Sequence, residues 1–144
     1  MKPSRPFILR GLYEWLLECE LTPYLAVNAE WPDVVVPTQF VEDGQIVLNI
    51  NPSAVMGFQI SDEAVFFNAR FGGVPMDVYV PLGAVLAIYA RENGAGMGFG
   101  MEPAAELYLD KLSVVDGDDV AEVEVKSEEP DKPERKGPVL RVVK

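Results

Sequence analysis

The sequence predicts an α+β protein: an N-terminal helix, then a small antiparallel sheet sandwich or open barrel, and finally a disordered C-terminal tail. Three observations support this prediction. Helical spacing of apolar residues near the N-terminus gives way after Pro23 to the alternation of apolar and polar residues that is typical of strands. Pairs of turn-forming residues separate several of these strands. Beyond Leu112 the composition becomes acidic and loses its aromatic residues.

The first helix is predicted to begin at Ser4, a residue type that caps helix N-termini, and Pro6 is tolerated in its first turn. Its apolar stripe is wider than one ordinary helix face. The stripe comprises Leu9, Leu12, Tyr13 and Leu16, widened by Ile8, Trp15 and Cys19. Such a helix either lies in a deep groove of its own domain or packs on its own sheet and on a second subunit. The pattern alone does not separate these alternatives.

Two tight turns are predicted among the strands. Asp43-Gly44 separates residues 39–41 from residues 45–50, and Gly72-Gly73 separates residues 65–71 from residues 74–80. Alternation in the 65–71 strand divides its side chains between two faces. One face carries Val65, Phe67, Ala69 and Phe71, and the other carries Phe66, Asn68 and Arg70.

A second, shorter helix is predicted after Pro81, and Asn93-Gly94 is expected to end it. Its apolar face would comprise Leu82, Val85, Leu86, Ile88 and Tyr89. Glycines at alternate positions from Gly94 to Gly100 then predict a loop. Their spacing differs from the GxGxxG pattern, so they do not indicate a dinucleotide site.

The part of the chain after Leu112 divides into two segments of opposite charge. Residues 1–112 are predicted to fold, and residues 113–136 to form an acidic disordered linker: nine Asp and Glu stand against two Lys in residues 116–134. The last segment, residues 137–144, contains two basic residues and no acid. Its apolar cluster fits a frayed terminus, a last strand that folds back on the body, or a short linear motif for a partner. We favour the motif because the charge reverses after a long acidic spacer.

Several kinds of chemistry are not expected. The chain has no His and one Cys, and its 23 Asp and Glu against 12 Lys and Arg give a net charge of −11. We therefore predict no enzyme, no metal and no cofactor, and the charge opposes nucleic-acid and anionic-membrane partners. Cys19, between Glu18 and Glu20, is predicted to be a buried small hydrophobe and a poor nucleophile. A lone Cys and the absence of a leader pattern predict the cytoplasm.

The strand face with Phe66, Asn68 and Arg70 is a candidate binding surface. Arg70 is one of six Lys or Arg residues in residues 1–115, where fourteen residues are acidic. A guanidinium beside an amide and two glycines can bind an extended acidic peptide, since Arg pairs with carboxylates and glycine lets a ligand backbone approach. From the pattern alone, an ordinary outward strand face with one surface Arg is favoured.

Long ordered stretches of the chain closely resemble the stringent starvation protein B family, the bacterial adaptors of the ClpXP protease. The stretches that carry this resemblance are Tyr13-Glu14-Trp15-Leu16, Leu21-Thr22-Pro23-Tyr24-Leu25, Asp43-Gly44-Gln45-Ile46-Val47-Leu48-Asn49, Phe67-Asn68-Ala69-Arg70-Phe71-Gly72-Gly73, Ala87-Ile88-Tyr89-Ala90-Arg91-Glu92-Asn93-Gly94 and Leu140-Arg141-Val142-Val143-Lys144. The resemblance covers residues 5–103 nearly continuously and resumes at the last eight residues.

The resemblance implies Sm-like sheets, a homodimer formed through the N-terminal helix, and capture of ssrA-tagged substrate proteins for delivery to the ClpX unfoldase. The peptide groove that it implies comprises Phe40, Ala54, Asn68, Ala69, Arg70, Phe71, Gly72 and Gly73. The dimer interface that it implies comprises Ile8, Leu12, Trp15 and Leu16. The segment that it implies for docking on the N-terminal zinc-binding domain of ClpX comprises Val139, Leu140, Arg141, Val142, Val143 and Lys144.

Two other classes of function are alternatives to this one. An Sm-like sheet could bind RNA, but the net charge of −8 over residues 1–115 opposes a polyanionic partner. A hydrolase that relies on carboxylates alone is the other alternative, and adjacent acids such as Asp62-Glu63 stand at turns, where they are usually solvated.

Overall fold

A computed structural model describes residues 1–109 of the chain. Residues Met1–Leu107 form one compact unit. Its elements are helix α1 (Arg5–Glu18), strands β1 (Pro23–Asn28), β2 (Gln45–Asn49), β3 (Val55–Ile60), β4 (Ala64–Phe71), β5 (Val74–Pro81), β6 (Val85–Ala90) and β7 (Gly96–Gly98), and 3₁₀ turns at Thr38–Phe40 and Leu82–Ala84. The predicted boundary at residue 112, the acidic linker and the C-terminal peptide all lie outside the described residues.

The strands form two antiparallel sheets, which confirms the predicted α+β class. The four-stranded sheet has the order β2-β1-β6-β7, and the three-stranded sheet has the order β3-β4-β5. Both sheets and α1 contribute fully buried apolar side chains, among them Leu25, Val65 and Leu9. Burial of this apolar surface is the main force that stabilises the fold.

Helix α1 buries only part of its wide apolar stripe. Leu9 and Leu16 are completely buried, whereas Phe7 remains 52% exposed and Trp15 47% exposed. Ser4 does occupy the N-cap position, but its hydroxyl donates to the carbonyl oxygen of Pro103 and caps no helix amide. The helix therefore does not lie in a deep groove of its own unit, and an apolar side of it faces outward.

Tyr13 connects α1 to the residue that follows β2 and to β3. Its hydroxyl donates to the carbonyl oxygen of Ile50 at 2.9 Å, and its ring stacks on Phe58 of β3 with 4.5 Å between the centroids. Partial burial raises the pKa of Tyr13 above its ordinary value, which extends to higher pH the range over which the phenol donates this hydrogen bond.

Both predicted tight turns are confirmed. The two central residues of each turn have positive φ angles: 54° and 77° at Asp43-Gly44, and 61° and 84° at Gly72-Gly73. This conformation matches the right-handed twist of the flanking strands. The segment before Asp43-Gly44 differs from the predicted strand, because Thr38–Phe40 form a 3₁₀ turn and only Glu42 makes a bridge, to Gln45.

The predicted second helix is wrong. Leu82–Ala84 form a single 3₁₀ turn, and Val85–Ala90 form β6, which lies between β1 and β7. A short, nearly continuous apolar run fits a helix face and a buried central strand equally well. Pairing with two neighbouring strands satisfies the backbone groups of β6, and this long-range interaction decides in favour of the strand.

The predicted glycine loop is also partly a strand. Gly96–Gly98 form β7, which pairs with Ala87–Tyr89 of β6. A Cβ at Gly96 would lie 2.1 Å from the carbonyl oxygen of Ile88, so only glycine permits the backbone to approach β6 this closely.

Cys19 was predicted to be buried, and this prediction is wrong. The residue is exposed because α1 ends at Glu18, one residue earlier, and Cys19 occupies the C-cap position. Glu20 follows with a φ of 61°, so the chain turns away from the helix axis before the apolar stripe can continue.

A buried ion pair joins the start of α1 to the segment after β7. Arg5 Nε donates to Glu102 Oε2 at 2.6 Å, and both side chains are almost completely buried. Arg5 also donates to the carbonyl oxygens of Leu82 and Val85, and its guanidinium lies over the ring of Phe99. Each charge is thus compensated, as burial in an apolar environment requires.

Glu102→Ala is expected to lower the free energy of unfolding by about 3–5 kcal/mol, because it leaves the buried Arg5 charge without its partner. Urea unfolding followed by tryptophan fluorescence measures this loss. Glu106→Ala, at an exposed position in the same segment, is the control and is expected to change stability by less than about 0.5 kcal/mol. Equal losses of unfolding free energy in the two variants would contradict the prediction that the buried ion pair stabilises the fold.

Candidate functional site

One face of the three-stranded sheet is open to solvent. Paired residues of antiparallel strands share a face, so the register places three cross-strand rows on this side. Gln59, Phe66 and Tyr79 form one row, Met56, Asn68 and Asp77 the next, and Arg70 and Pro75 the last. We call these eight residues the outer face. Met56 is 73% exposed, whereas Phe66 and Asn68 in the central strand are half-buried.

Arg70 is the cationic centre of the outer face. Residues 1–109 contain five Lys or Arg side chains, and within this described part of the chain every one except Arg70 forms an ion pair. Arg70 Nη1 donates to the carbonyl oxygen of Gly73 at 3.2 Å, which holds the side chain beside the turn. The other guanidinium donors remain available to a ligand carboxylate.

Asn68 and Asp77 form a hydrogen-bonded pair across β4 and β5. Asn68 Nδ2 donates to Asp77 Oδ1 at 3.0 Å, and the backbones of the two residues are in register. This contact orients the Asn68 amide, whose oxygen is then an acceptor for a ligand. The pair therefore offers oxygen acceptors, two residues along the strand from the guanidinium donors of Arg70.

The aromatic part of the predicted groove lies on the opposite side of β4. Ala69 is only 8% exposed and Phe71 is half-buried, as alternation predicted for this face. The ring of Phe71 lies 6.1 Å from that of Phe40, which is 50% exposed. Ala54 is exposed and precedes Val55, the residue paired with Ala69.

The structure thus divides the predicted groove residues into two groups. Asn68 and Arg70 belong to the outer face, whereas Phe40, Ala69 and Phe71 belong to the other side of the sheet. Gly72-Gly73 lies at the end of the hairpin, between the two groups. A Cβ at either glycine would meet no heavy atom within 4 Å, so the backbone of a ligand has room to cross the sheet here.

Five outer-face residues were missed from sequence: Met56, Gln59, Pro75, Asp77 and Tyr79. A usable signal existed for the three residues of β5, since a two-residue turn at Gly72-Gly73 pairs β4 with β5 in a fixed register. No comparable signal existed for Met56 and Gln59, because the β3–β4 register shifts between them.

The residues implied for a dimer interface differ in exposure. Trp15 is exposed and Ile8 and Leu12 are half-buried, so all three can contact a second chain. Leu16 is completely buried within its own unit and offers no surface. Phe7, which is not among the implied interface residues, is also exposed on α1.

The described residues contain no group of three or more His, Cys, Asp or Glu side chains placed to hold a metal ion. Within the same part of the chain, no helix is long and apolar enough to cross a membrane. The docking segment from Val139 to Lys144 lies outside the described residues, so its role stays a prediction.

The fold and the site define a class: a small α+β protein with an exposed strand face that combines apolar, amide and charged side chains. A family model described as stringent starvation protein B matches residues 3–144. The stringent starvation protein B homolog of Haemophilus influenzae (strain ATCC 51907 / DSM 11121 / KW20 / Rd) is 49% identical over 112 residues, which are 78% of this chain and 72% of that protein. The chain therefore belongs to the stringent starvation protein B family. The members of this family are adaptor-type proteins, and the family is not a known enzyme family.

Proposed function

We propose that this protein is a cytoplasmic adaptor that captures ssrA-tagged proteins and delivers them to the ClpXP protease. The observation that supports this proposal most directly is Arg70: among residues 1–109 it is the one Lys or Arg side chain without an ion pair, and it stands on an exposed strand face. A tag segment rich in acidic and amide side chains supplies the carboxylate that this guanidinium lacks.

The tag binds in an extended conformation near the β4–β5 turn. Arg70 pairs with a carboxylate and Asn68 hydrogen-bonds a polar group of the tag, while the open space at Gly72-Gly73 admits the tag backbone. The half-exposed ring of Phe40, beside the ring of Phe71, takes an apolar part of the tag on the other side of the sheet. Because β4 lies between β3 and β5 and its backbone is paired on both sides, the side chains named here supply both affinity and specificity.

Fluorescence anisotropy with a labelled ssrA-type peptide tests capture. We expect saturable binding that weakens as ionic strength rises, because an exposed ion pair is screened by salt. The same peptide with its acidic residues changed to Ser is the control. Equal binding of both peptides, or no binding at low salt, would contradict the proposal.

Delivery requires no catalytic group, because tethering is sufficient. The linker of residues 113–136 has 24 residues, and a flexible chain of this length spans roughly 27 Å between its ends. Docking of residues 137–144 on the zinc-binding N-terminal domain of ClpX then holds the captured substrate at an effective concentration on the order of millimolar.

The adaptor is a homodimer formed through α1, and its sheets are Sm-like. The exposed apolar side chains of Phe7 and Trp15, with the half-buried Ile8 and Leu12, support a helix-mediated interface. Leu16 is not part of it, because its side chain is already buried in the core. Two tails per dimer permit bivalent docking on the unfoldase, so weak individual contacts are enough.

Trp15→Asp is expected to convert the dimer to a monomer, because it places a charge in the apolar interface. Sedimentation equilibrium measures the change as a halving of the molecular mass. Glu30→Ala, at an exposed position after β1 and outside the helix, is expected to leave the dimer mass unchanged. A dimer mass for Trp15→Asp, or a monomer mass for the unaltered chain, would exclude this interface.

A further inference from the structure

We propose that Asp77 determines which peptides the outer face accepts. This inference rests on the proposed function and deepens it. The outer face binds an extended peptide that places a carboxylate against Arg70, a hydrogen-bond donor against the Asn68–Asp77 pair, and an apolar side chain against Phe66 and Tyr79. Asp77 excludes an acidic side chain from the middle position.

The order of the three contacts follows from strand geometry. Phe66, Asn68 and Arg70 are alternate residues of β4 and share one face, with about 6.5 Å between successive members. An extended peptide has the same repeat, so a ligand parallel to β4 presents every second side chain to these three residues. The ligand motif is therefore an acid, a donor and an apolar residue at alternate positions.

The middle contact requires a donor because of Asp77. The Asp77 carboxylate has acceptors only, and Asn68 already donates one N–H to it at 3.0 Å. This pair presents mainly hydrogen-bond acceptors to a ligand. They are Asn68 Oδ1 and the second carboxylate oxygen of Asp77. An amide or hydroxyl of the ligand satisfies these acceptors, whereas a carboxylate there would be repelled by Asp77.

The two ends of the face differ in polarity. Phe66 is half-buried between Gln59 and Tyr79, and Tyr79 is itself held in place by paired backbone hydrogen bonds with Val35 at 2.9 and 3.0 Å. This fixed aromatic pair is suited to an apolar side chain. Arg70 at the other end is suited to an acid. An acid and an apolar residue on either side of the donor therefore fix the direction of the peptide.

The test uses two labelled peptides of alanine and serine. The first carries Asp, Asn and Tyr at alternate positions, and the second has Asp in place of the Asn. The unaltered protein is expected to bind the Asn peptide about tenfold more tightly than the Asp peptide, as measured by anisotropy. Each peptide is also made with the three residues in reverse order, and the weaker-binding order shows the disfavoured direction.

Asp77→Asn is expected to abolish this discrimination. It keeps a hydrogen-bond partner for Asn68 and removes the negative charge, so binding of the Asp peptide rises to match that of the Asn peptide. Glu63→Gln removes the same charge at an exposed position preceding β4 and is expected to leave the tenfold preference unchanged. Thermal unfolding verifies that both variants are folded.

Two results would overturn this inference. One is equal binding of the Asn and Asp peptides by the unaltered protein, and the other is a preference that survives in Asp77→Asn. If an ssrA-type peptide still binds in either case, adaptor function stands and only the role of Asp77 is wrong. If none of the peptides binds, the proposed function and this inference both fail.

Discussion

Arg70→Glu is expected to weaken binding of an ssrA-type peptide by roughly thirty- to hundredfold, which corresponds to about 2–3 kcal/mol. The substitution removes charge-assisted hydrogen bonds to the tag and adds a negative charge on a body that already carries thirteen acids against five bases in residues 1–109. Fluorescence anisotropy at fixed ionic strength measures the loss.

The folded structure is expected to tolerate this substitution. Arg70 is exposed, and its one hydrogen bond within the described residues goes to the Gly73 carbonyl oxygen. The control is Arg91→Glu, which reverses the same charge at another exposed Arg, one that is already paired with Glu92. We expect the affinity of this control for the tag to change by less than about threefold, because salt screens the long-range effect of a distant surface charge. Unchanged affinity of the Arg70→Glu variant for the tag peptide would show that Arg70 is not part of the binding groove.

Deletion of residues 137–144 is expected to leave tag binding unchanged and to abolish the stimulation of ClpXP degradation. Without the terminal peptide, the substrate loses the millimolar effective concentration that tethering provides and must meet the unfoldase by diffusion. The effect is largest at low substrate concentration. Initial rates of degradation of an ssrA-tagged fluorescent protein, with and without the adaptor, measure it.

A deletion of equal length inside the linker is the control for this experiment. Removal of residues 118–125 shortens the acidic segment and keeps the apolar, basic terminus. We expect this variant to stimulate degradation nearly as well as the full chain, because effective concentration changes only gradually with linker length. Full stimulation by the protein that lacks residues 137–144 would show that the terminal segment is not the docking element.

Short sequence patterns correctly predicted the two faces of β4 and the two tight turns. Alternation in residues 65–71 predicted which side chains β4 buries, since Val65 and Phe67 face the core and Arg70 faces solvent. Asp43-Gly44 and Gly72-Gly73 predicted their turns because few other residue pairs adopt positive φ at both positions. Both features depend on a few neighbouring residues, which is why no tertiary information was needed.

The same local rules failed where two structures fit one pattern. Residues 82–90 satisfy helical spacing, yet Val85–Ala90 form β6, because their backbone pairs with β1, which is distant in sequence, and with β7. Cys19 satisfies the spacing of the helical stripe, yet α1 ends before it. In both places the apolar pattern is real, but it does not specify the type of the element or its boundary.

The candidate site also combines features that follow from the sequence with features that follow only from the tertiary structure. The family resemblance, the acidic charge, the class of fold and the residues of β4 that could meet a ligand all follow from the sequence. Four features follow only from the packing of distant segments. Arg70 has no ion pair within residues 1–109, Asp77 holds Asn68, Leu16 is buried while Trp15 is exposed, and Arg5 pairs with Glu102 across 97 residues of chain. The physical reason is that charge pairing and burial depend on which distant segments meet, whereas turns and alternation depend on the conformation of a few adjacent residues.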